Sequence, residues 1–514
     1  MIKRVEIAIN ASDKNNKQAL KKALQSKFGK SANITGFSIV KRSLDARQKN
    51  VLYRMHVDVW MDEKPSETKL QAFEYKNIEF CEPIIVVGSG PAGLFAALKA
   101  IELGRKPILI ERGKAIDERK KDVALLNRGQ VLSENSNWCF GEGGAGTYTD
   151  GKLYTRASKR GNVNQVLQTF VQFGAHPDIL IDAHPHIGTD KLPSIIKNIR
   201  LFIESCGGVF YFDKQIVDFE VRGNRIHRLI SQNGDVFEAP NFVLATGHSS
   251  SEVYELLHRK SILLESKDFA VGVRIELPQF MVDKSLYKNP SDIGVLPPAE
   301  YRLATQIGDR GVFSFCMCPG GVIVPATTHH GFQVVNGMSN SLRNSEYANS
   351  GLVVSVSQKD ILAYSKEGAL AGLRFQQQLE AKSWNSVPAF QAPAQRVDDF
   401  LLKKRSSNLP KSTYNPGIVS TNLWEILPHF VCQALCDSMA EFDGKIKGFN
   451  SSEACFIGVE TRTSSPVRIP RDREKFSHPQ LENLFPCGEG AGYAGGITSS
   501  AMDGINCIES IVNR

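Results

Sequence analysis

Two cysteines separated by one residue, Cys316 and Cys318 in "CMCPGG", form the most conspicuous chemical pair in the sequence. Side chains alternate along a β-strand, so in an extended segment both thiols would point to the same face. Two thiols on one face suit a redox reaction or the binding of a substrate by thiolates. Two small side chains in a core are the alternative interpretation of the same pattern.

Two arginines, Arg462 and Arg468 in "GVETRTSSPVRIP", form the second candidate group. A guanidinium holds an anionic substrate through paired hydrogen bonds, which would place both residues in a catalytic site. The alternative is that they pair with acidic residues between domains. Arg274, inside a predicted strand, is a further residue of this kind. The candidate catalytic residues are therefore Cys316, Cys318, Arg462 and Arg468.

A glycine pattern, G-x-G-x-x-G, follows the apolar run "IIVV" and is formed by Gly88, Gly90 and Gly93. These glycines permit a tight turn, close approach of a diphosphate, and packing of a helix on a strand. Glu111 ends the next apolar run 18 residues later. There a carboxylate would bind both ribose hydroxyls and repel a 2′-phosphate. The pattern predicts an adenine dinucleotide and leaves the choice between FAD and NAD open.

A second glycine-rich turn lies near the end of the sequence, in "NLFPCGEGAGYAGGITSSAMDGINCIESI" (483–511). The pattern predicts a short strand, a glycine loop and a helix beginning near Thr498. A helix N-terminus stabilises negative charge on a reduced flavin ring, and FAD needs a second turn to hold its ribityl chain. The segment resembles that of the glutathione-reductase-type FAD oxidoreductases, most of which have Asp where this chain has Glu489.

Further segments strengthen the resemblance. "GGVFYFDKQIVDFEV" (207–221) and "APNFVLATGHS" (239–249) resemble, in this order, the adenine-binding strands and a cofactor-flanking strand end. The glycine-rich segment "NWCFGEGGAGTYTDGKLYTR" (137–156), with "CMCPGG" and "VVNGMS", is similar to a bacterial family of predicted FAD-dependent dehydrogenases of unassigned substrate. That likeness runs essentially from end to end. It implies non-covalent FAD held by Gly88, Gly90, Pro91, Ala92, Gly93, Glu111, Arg112, Gly144, Gly146, Thr147, Ile216, Ala245, Thr246, Gly247, Gly488, Glu489, Gly496, Ile497 and Thr498.

These motifs require a particular set of elements to position them. The order of predicted strands and helices indicates an α/β protein with a Rossmann-like FAD-binding domain in two parts. Between those parts we predict an inserted mixed α+β substrate domain, with glycine-broken strands over 268–357. Before them we predict a small ferredoxin-like α+β module. The predicted boundaries are 1–80 for the module, 81–254 and 450–514 for the FAD-binding domain, and 255–449 for the insertion.

Composition restricts the classes of protein that the chain can form. Of its 514 residues 42% are hydrophobic, and we find no run long enough to span a bilayer and no signal peptide. Ten scattered cysteines suit reduced thiols in a cytoplasmic protein. The first 80 residues carry 16 Lys and Arg against 9 Asp and Glu. RNA is one acidic partner for such a surface, but no nucleic-acid motif accompanies the charge, and a solvated surface explains it better.

We therefore expect an FAD-dependent oxidoreductase that transfers a hydride between flavin N5 and a small-molecule substrate, which would be anionic if Arg462 and Arg468 bind it. NAD(P)H as a transient electron donor would have to bind without its own nucleotide domain, because no second G-x-G-x-x-G follows a strand. One alternative is a flavin monooxygenase, which shares the architecture with a single nucleotide. Another is a flavin-bearing RNA-binding or regulatory protein. We assign no metal site, and the sequence leaves substrate and oligomeric state open.

Overall fold

The first part of the chain forms a small α+β unit with a core of its own. The structure is a computed structural model that describes residues 2–29, 32–47, 50–63, 76–288 and 296–513. Asn16 caps the helix of this unit, because its side chain accepts hydrogen bonds from the backbone of Gln18 and Ala19. The elements, in antiparallel sheet order β1-β3-β2, are β1 (Ile2–Asn10), α1 (Lys17–Phe28), β2 (Ile34–Asp45) and β3 (Leu52–Met61).

This unit matches the first half of the predicted ferredoxin-like pattern. The order β1-β3-β2 is that of the first three strands of a ferredoxin-like fold. The second helix and the fourth strand that would complete that fold are absent from the described residues before Pro83. One of the basic residues predicted to lie on the surface is paired within the protein: Arg42 forms ion pairs with Asp178 and Asp182, at 2.8 and 2.7 Å.

A five-stranded parallel sheet forms the centre of the next unit. Its order is β22-β10-β4-β5-β6, so the strands that follow β4 along the chain are placed on both of its sides. In parallel sheets, ligands bind at the carboxyl ends of the strands where the order reverses in this way. The strands are β4 (Pro83–Val87), β5 (Lys106–Ile110), β6 (Val209–Tyr211), β10 (Asn241–Leu244) and β22 (Leu484–Pro486).

Alternating residues of β4 face two different layers. Ile84 and Val86 pack into a cluster with helices α2, α4, α5 and α11, whereas Ile85 and Val87 pack against strands β7 and β8 and helix α6. Both faces are covered, which explains the unbroken apolar run of this strand. These elements are α2 (Pro91–Glu102), α3 (Ile116–Asn127), α4 (Val163–Gln172), α5 (Leu192–Ser205), β7 (Ile216–Arg222), β8 (Arg225–Ser231), β9 (Val236–Phe237), α6 (Ser251–Arg259) and α11 (Ile497–Val512).

Helices α2 and α11 cross very closely, although they come from distant parts of the chain. A methyl group on Gly504 of α11 would lie 2.1 Å from the carbonyl oxygen of Ala92 in α2. A glycine is therefore required at this crossing. The close contact joins the last helix of the chain to the helix that follows the glycine fingerprint.

A seven-stranded mixed sheet forms the second large unit, in the order β13-β14-β17-β12-β20-β18-β19. The glycine-broken strands predicted over 268–357 are present as β12 to β17. The seven strands are β12 (Phe269–Pro278), β13 (Ala304–Ile307), β14 (Arg310–Cys318), β17 (Tyr347–Val356), β18 (Ala392–Arg396), β19 (Ile418–Ser420) and β20 (Cys455–Glu460). Two separate pairs of strands are β11 (Glu265–Ser266) with β21 (Val467–Arg468), and β15 (Val322–Pro325) with β16 (Val335–Met338). The helices are α7 (Gln279–Leu286), α8 (Ala371–Asn385), α9 (Val397–Leu401) and α10 (His429–Lys445).

One predicted boundary is wrong. Strand β20 pairs with β12 and β18 inside the seven-stranded sheet, so residues 455–460 belong to this sheet and not to the final segment beginning at 450. The chain returns to the parallel sheet only after Glu460. Across the described ranges, no helix combines the length and the apolar character needed to cross a membrane.

A buried ion pair lies in the middle of the seven-stranded sheet. Arg274 on β12 is fully buried and donates to both carboxylate oxygens of Glu460 on β20, at 2.8 and 2.7 Å. It also donates to the side-chain oxygen of Asn349 on β17, at 2.7 Å. One guanidinium thus bonds to side chains on both neighbouring strands. The third arginine singled out in the sequence is therefore a structural residue.

Replacing Arg274 with Met should lower the free energy of unfolding by about 3–5 kcal/mol, because Glu460 then stays buried without a cation. The matched control is Arg374→Met, which removes a partly exposed cation paired with Glu255 and Glu367. That change should reduce stability by at most about 1 kcal/mol. Urea unfolding followed by circular dichroism measures both, and equal losses would contradict the role given to Arg274.

Candidate functional site

A cleft of about 350 Å³ lies at the carboxyl ends of the parallel strands. One wall is formed by the turns that follow β4, β5, β10 and β22. The opposite wall comes from the seven-stranded sheet and its surroundings, and includes Phe315, Cys316, Asn336 and Thr463. The cleft therefore lies where the order of the parallel strands reverses, between the two large units.

The structure brings nearly all of the predicted cofactor-binding residues into this cleft. Two of them do not line it: Gly93 packs behind the turn, where a methyl group would lie 1.9 Å from the carbonyl oxygen of Gly88, and Thr147 is fully buried. The residues that line the cleft are Gly88, Gly90, Pro91, Ala92, Glu111, Arg112, Gly144, Gly146, Ile216, Ala245, Thr246, Gly247, Gly488, Glu489, Gly496, Ile497 and Thr498.

Two helices direct their N-termini at the cleft. Helix α2 begins after Gly90 with Pro91 in its first turn, and α11 begins after Gly496. Within the described part of the chain, no side chain caps either N-terminus. Free backbone N–H groups and the helix dipole make each end a site for negative charge.

Glycines let backbone segments approach each other around α2. A methyl group on Gly88 would lie 2.4 Å from the carbonyl oxygen of Ala245, and one on Gly144 would lie 3.0 Å from the Cα of Gly90. Gly144 also has φ +61°, in the left-handed region that glycine favours. The glycine-rich segment 137–156 therefore lies directly against the fingerprint turn. A methyl group at Gly144 would therefore crowd the backbone at the start of α2, beside the cleft that Gly144 lines.

The Glu111 carboxylate joins three segments of the cleft wall. Its Oε2 accepts hydrogen bonds from the backbone N–H and the hydroxyl of Ser89, at 3.0 and 2.8 Å. Its Oε1 accepts from the backbone N–H of Gly113 and of Gly141, at 3.0 and 3.1 Å. Four donors occupy the four lone-pair sites of the carboxylate. A ribose hydroxyl would have to replace one of them, so the predicted ribose contact stays a prediction.

A buried arginine that the sequence analysis missed shapes the glycine-rich segment. Arg119 on α3 is fully buried and donates to a group of backbone carbonyls at 2.7–3.2 Å. Burial lowers its pKa. A single helical arginine gives no sequence signal of this role, because its partners are backbone atoms. The accepting residues are Asn137, Trp138, Gly141, Glu142 and Gly144.

An acid on α11 holds the second glycine turn. Asp503 accepts a hydrogen bond from the backbone N–H of Gly488 at 2.7 Å, and Arg471 donates to both of its oxygens at 3.0 and 2.6 Å. The sequence predicted the turn but not this support. The Asp503 carboxylate also lies near two thiols in a cluster of potential metal ligands, Cys487 and Cys507. The Arg471 guanidinium already supplies the positive charge there.

The two predicted arginines form ion pairs, which is the second of the two alternatives weighed for them. Arg462 lines the cleft, but its guanidinium donates to both oxygens of Glu380 at 3.1 and 2.7 Å and to the hydroxyl of Thr328 at 2.9 Å. Arg468 lies outside the cleft lining and pairs with Glu265 at 3.5 Å. The guanidinium of Arg462 is thus occupied by Glu380 and Thr328, and that of Arg468 does not border the cleft.

The two predicted cysteines differ in their environments. The pairing of β14 is irregular between Phe315 and Cys318, so the strand alternation that would place both thiols on one face fails. Cys316 lines the cleft, whereas Cys318 is completely buried. Hydrogen bonding with Cys318, together with the charges of Arg274 and Lys152, outweighs burial and lowers the pKa of the Cys316 thiol. The same hydrogen bonding and burial raise the pKa of Cys318. The Cys318 thiol also donates to the carbonyl oxygen of Cys316 at 3.3 Å.

The cleft residues fit an FAD. Backbone N–H groups at two uncapped helices suit the negative charges of a diphosphate and of a reduced ring. Glycines at positions 90 and 144 leave space that a Cβ would fill. The second turn at 488–496 lies along the same cleft, as the extended ribityl chain requires.

Comparisons with known proteins agree with this class. Residues 83–118 match a family described as an FAD binding domain, and residues 268–463 match one described as "FAD-dependent protein, C-terminal domain-like". Residues 1–60 match a domain of unknown function. Fold, cleft and family matches together define an FAD-dependent protein.

The chain is 38% identical over 529 aligned positions to an uncharacterised protein of Clostridium beijerinckii, with 98% of each chain covered. It belongs to the family of that protein. Solved structures with partial similarity include CmlS, a flavin-dependent halogenase, at 11% identity over 84% of this chain and 57% of the other (TM-score 0.36). Another is the tetracycline destructase Tet(55), at 10% identity over 82% and 78% (TM-score 0.35). Scores of this size do not establish a shared fold.

Replacing Gly144 with Ala should weaken FAD binding by roughly tenfold or more, because the added methyl group crowds Gly90 at a positive φ. Gly104→Ala is the matched control. Gly104 also has a positive φ (+70°), but no heavy atom lies within 4 Å of the added methyl group. It should cost about 1 kcal/mol of stability and leave FAD affinity unchanged. Titration of apoprotein with FAD, followed by flavin fluorescence, distinguishes them, and equal affinities would contradict the crowding argument.

Glu111→Gln should lower the free energy of unfolding by about 2 kcal/mol. The neutral amide can no longer form charge-assisted hydrogen bonds, and its NH₂ group would face backbone N–H groups that are themselves donors. FAD affinity should fall with it, because three wall segments lose their common acceptor. Glu118→Gln, at an exposed position of α3, serves as the control and should change neither. Urea unfolding and FAD titration of both variants provide the measurements. An unaltered Glu111→Gln protein would show that the carboxylate does not organise the cleft.

Proposed function

We propose that the protein is an FAD-dependent oxidoreductase of the dehydrogenase or reductase type, acting on a small-molecule substrate. The observation that carries this proposal is the convergence of two uncapped helix N-termini and three glycine turns on one cleft, within a chain that has an FAD-binding domain. When bound, FAD supplies two-electron hydride chemistry at N5 of its ring.

Each part of the cleft has a role in this proposal. The N-terminus of α2, with Gly88 and Gly90, would hold the diphosphate, and Ile216 would lie at the adenine. The turn at Gly488 and Glu489 would hold the ribityl chain. The N-terminus of α11 would stabilise negative charge on the ring. These roles are the ones that the resemblance to FAD oxidoreductases implies for these segments, and the residues concerned all line one cleft.

The opposite wall would select the substrate. Phe315, Cys316 and Asn336 come from the seven-stranded sheet and its hairpin and face the glycine-rich segment across the cleft. Lys152, on that segment, reaches over and donates a hydrogen bond to the carbonyl oxygen of Met317. This bond joins the two walls and would restrict water at that end.

The protein should purify yellow, with FAD in near-equal amount to the chain. Under anaerobic conditions, a dehydrogenase or reductase should lose its flavin absorbance when mixed with its electron donor, tested with NADH, NADPH and a metabolite panel. Reoxidation by a matching acceptor should then restore the absorbance without consuming oxygen. Incorporation of an oxygen atom from O₂ into a substrate would instead support the monooxygenase. A colourless protein that cannot be reconstituted with FAD would overturn the proposal.

A further inference from the structure

Strand β14 departs from regular geometry where it borders the cleft. Its pairing with β17 shifts between Phe315 and Cys318, and Cys316 has φ +45°. A residue with a side chain rarely adopts this left-handed conformation, which persists only where surrounding bonds hold it. The bulge directs Cys316 to the cleft and leaves Cys318 behind it in the sheet.

Two cations hold this bulge through its carbonyl groups. Arg274, from the middle of the sheet, donates to the carbonyl oxygen of Cys316 at 2.6 Å. Lys152, from the glycine-rich segment, donates to the carbonyl oxygen of Met317. The same two positive charges lie beside the thiols and favour a thiolate there. Arg274 and Lys152 therefore both hold the backbone of the bulge and favour a thiolate beside it.

The two sulfur atoms are unequal in access and in proton affinity. Arg274 lies 3.5 Å from the sulfur of Cys318, which is shielded from the cleft. The pKa of the Cys316 thiol is lowered and that of Cys318 is raised, so ionisation favours the sulfur that borders the cleft over the one behind it. The acids facing the pair, Asp150 and Glu460, are each neutralised by an arginine ion pair, with Arg343 and Arg274 respectively.

The other close cysteines lack this arrangement. Cys432 and Cys436 lie one turn apart on α10, away from the cleft, and burial raises their pKa values to about 12 and about 11. Cys487 borders the cleft beneath the second glycine turn and lies near Cys507, but both sulfur-bearing residues are completely buried and the pKa of Cys487 is raised. Among the described residues, Cys316 and Cys318 thus form the close thiol pair whose cleft-lining member is partly exposed and has a lowered pKa.

We propose that Cys316 and Cys318 form a redox dithiol that reduces disulfide substrates entering the cleft, with Cys316 as the attacking sulfur and Cys318 as the resolving sulfur. The Cys316 thiolate attacks one sulfur of the substrate, forms a mixed disulfide and releases the first substrate thiolate. The Cys318 sulfur then attacks that of Cys316 and displaces the second substrate sulfur. The proton of Cys318 passes to a released thiolate.

The balance of this exchange is complete. One thiolate, one thiol and one substrate disulfide become one protein disulfide, one substrate thiol and one substrate thiolate. The protein sulfur atoms lose two electrons and the substrate gains them. A second dithiol returns the pair to its starting state in vitro. In the cell the return would draw on the flavin, and only in this respect does the inference rest on the proposed function.

The exchange is tested on the full-length protein, as purified with its FAD, with oxidised glutathione as the probe. After removal of reductant, wild type should lose two titratable thiols and two hydrogen atoms of mass, without retaining a glutathione. Cys318→Ser should retain one glutathione on Cys316, because no resolving sulfur remains. Cys316→Ser should show neither change at these positions. An unchanged wild-type thiol count, or a stable glutathione adduct on wild type, would overturn the proposal.

Alkylation by iodoacetamide at pH 7 gives a second readout that needs no flavin turnover. Cys316 should react roughly tenfold faster than Cys436, which is half-buried and has a raised pKa. Cys318→Ala, which removes the hydrogen-bond donor, should slow alkylation severalfold, whereas Cys318→Ser retains the donor and should keep it fast. Cys436→Ser is the control and should alter neither readout. Failure of flavin reduction with an intact thiol exchange would count against the proposed function alone.

Discussion

The architecture of the cleft depends on one carboxylate that accepts four hydrogen bonds. Glu111 stands at the end of β5 and binds the fingerprint turn at Ser89, its own following residue Gly113, and the glycine-rich segment at Gly141. Each of these segments is short of regular backbone partners, so a buried acceptor is needed to hold them. With that acceptor in place, Gly90 and Gly144 can lie against each other and leave a channel for an extended nucleotide.

The opposite wall depends on buried cations. Arg274 is balanced by Glu460, bonds to both neighbouring strands, and donates to the irregular turn of β14. Arg119 performs a similar role in the first wall, where its partners are carbonyl groups. Both guanidinium groups fix backbone that could not otherwise be buried, because unpaired carbonyls away from water are unfavourable. The cleft is therefore formed by polar bonds inside the protein as much as by apolar packing.

The sequence predicted those features that have a local cause. The fingerprint glycines, the strand after them and the helix at 497 follow from backbone requirements that particular residue types meet, and the structure gathers these segments in one cleft. It did not predict features that arise between distant residues. The place of β20 in the second sheet, the half-complete first unit and the ion pair of Arg462 with Glu380 are of this kind. The prediction that Cys316 and Cys318 share one face of the strand failed because the residue types of the segment Cys-Met-Cys do not reveal a β-bulge.

The position of the last strand and helix has a consequence for how the protein is made. Strand β22 lies beside β10, and α11 crosses α2, although hundreds of residues separate them along the chain. During translation one edge of β10 therefore stays unpaired until the residues of β22, about 240 positions later, have emerged from the ribosome. The cofactor pocket is then a late event in biogenesis, and a chain that stops short exposes an apolar sheet edge that invites aggregation.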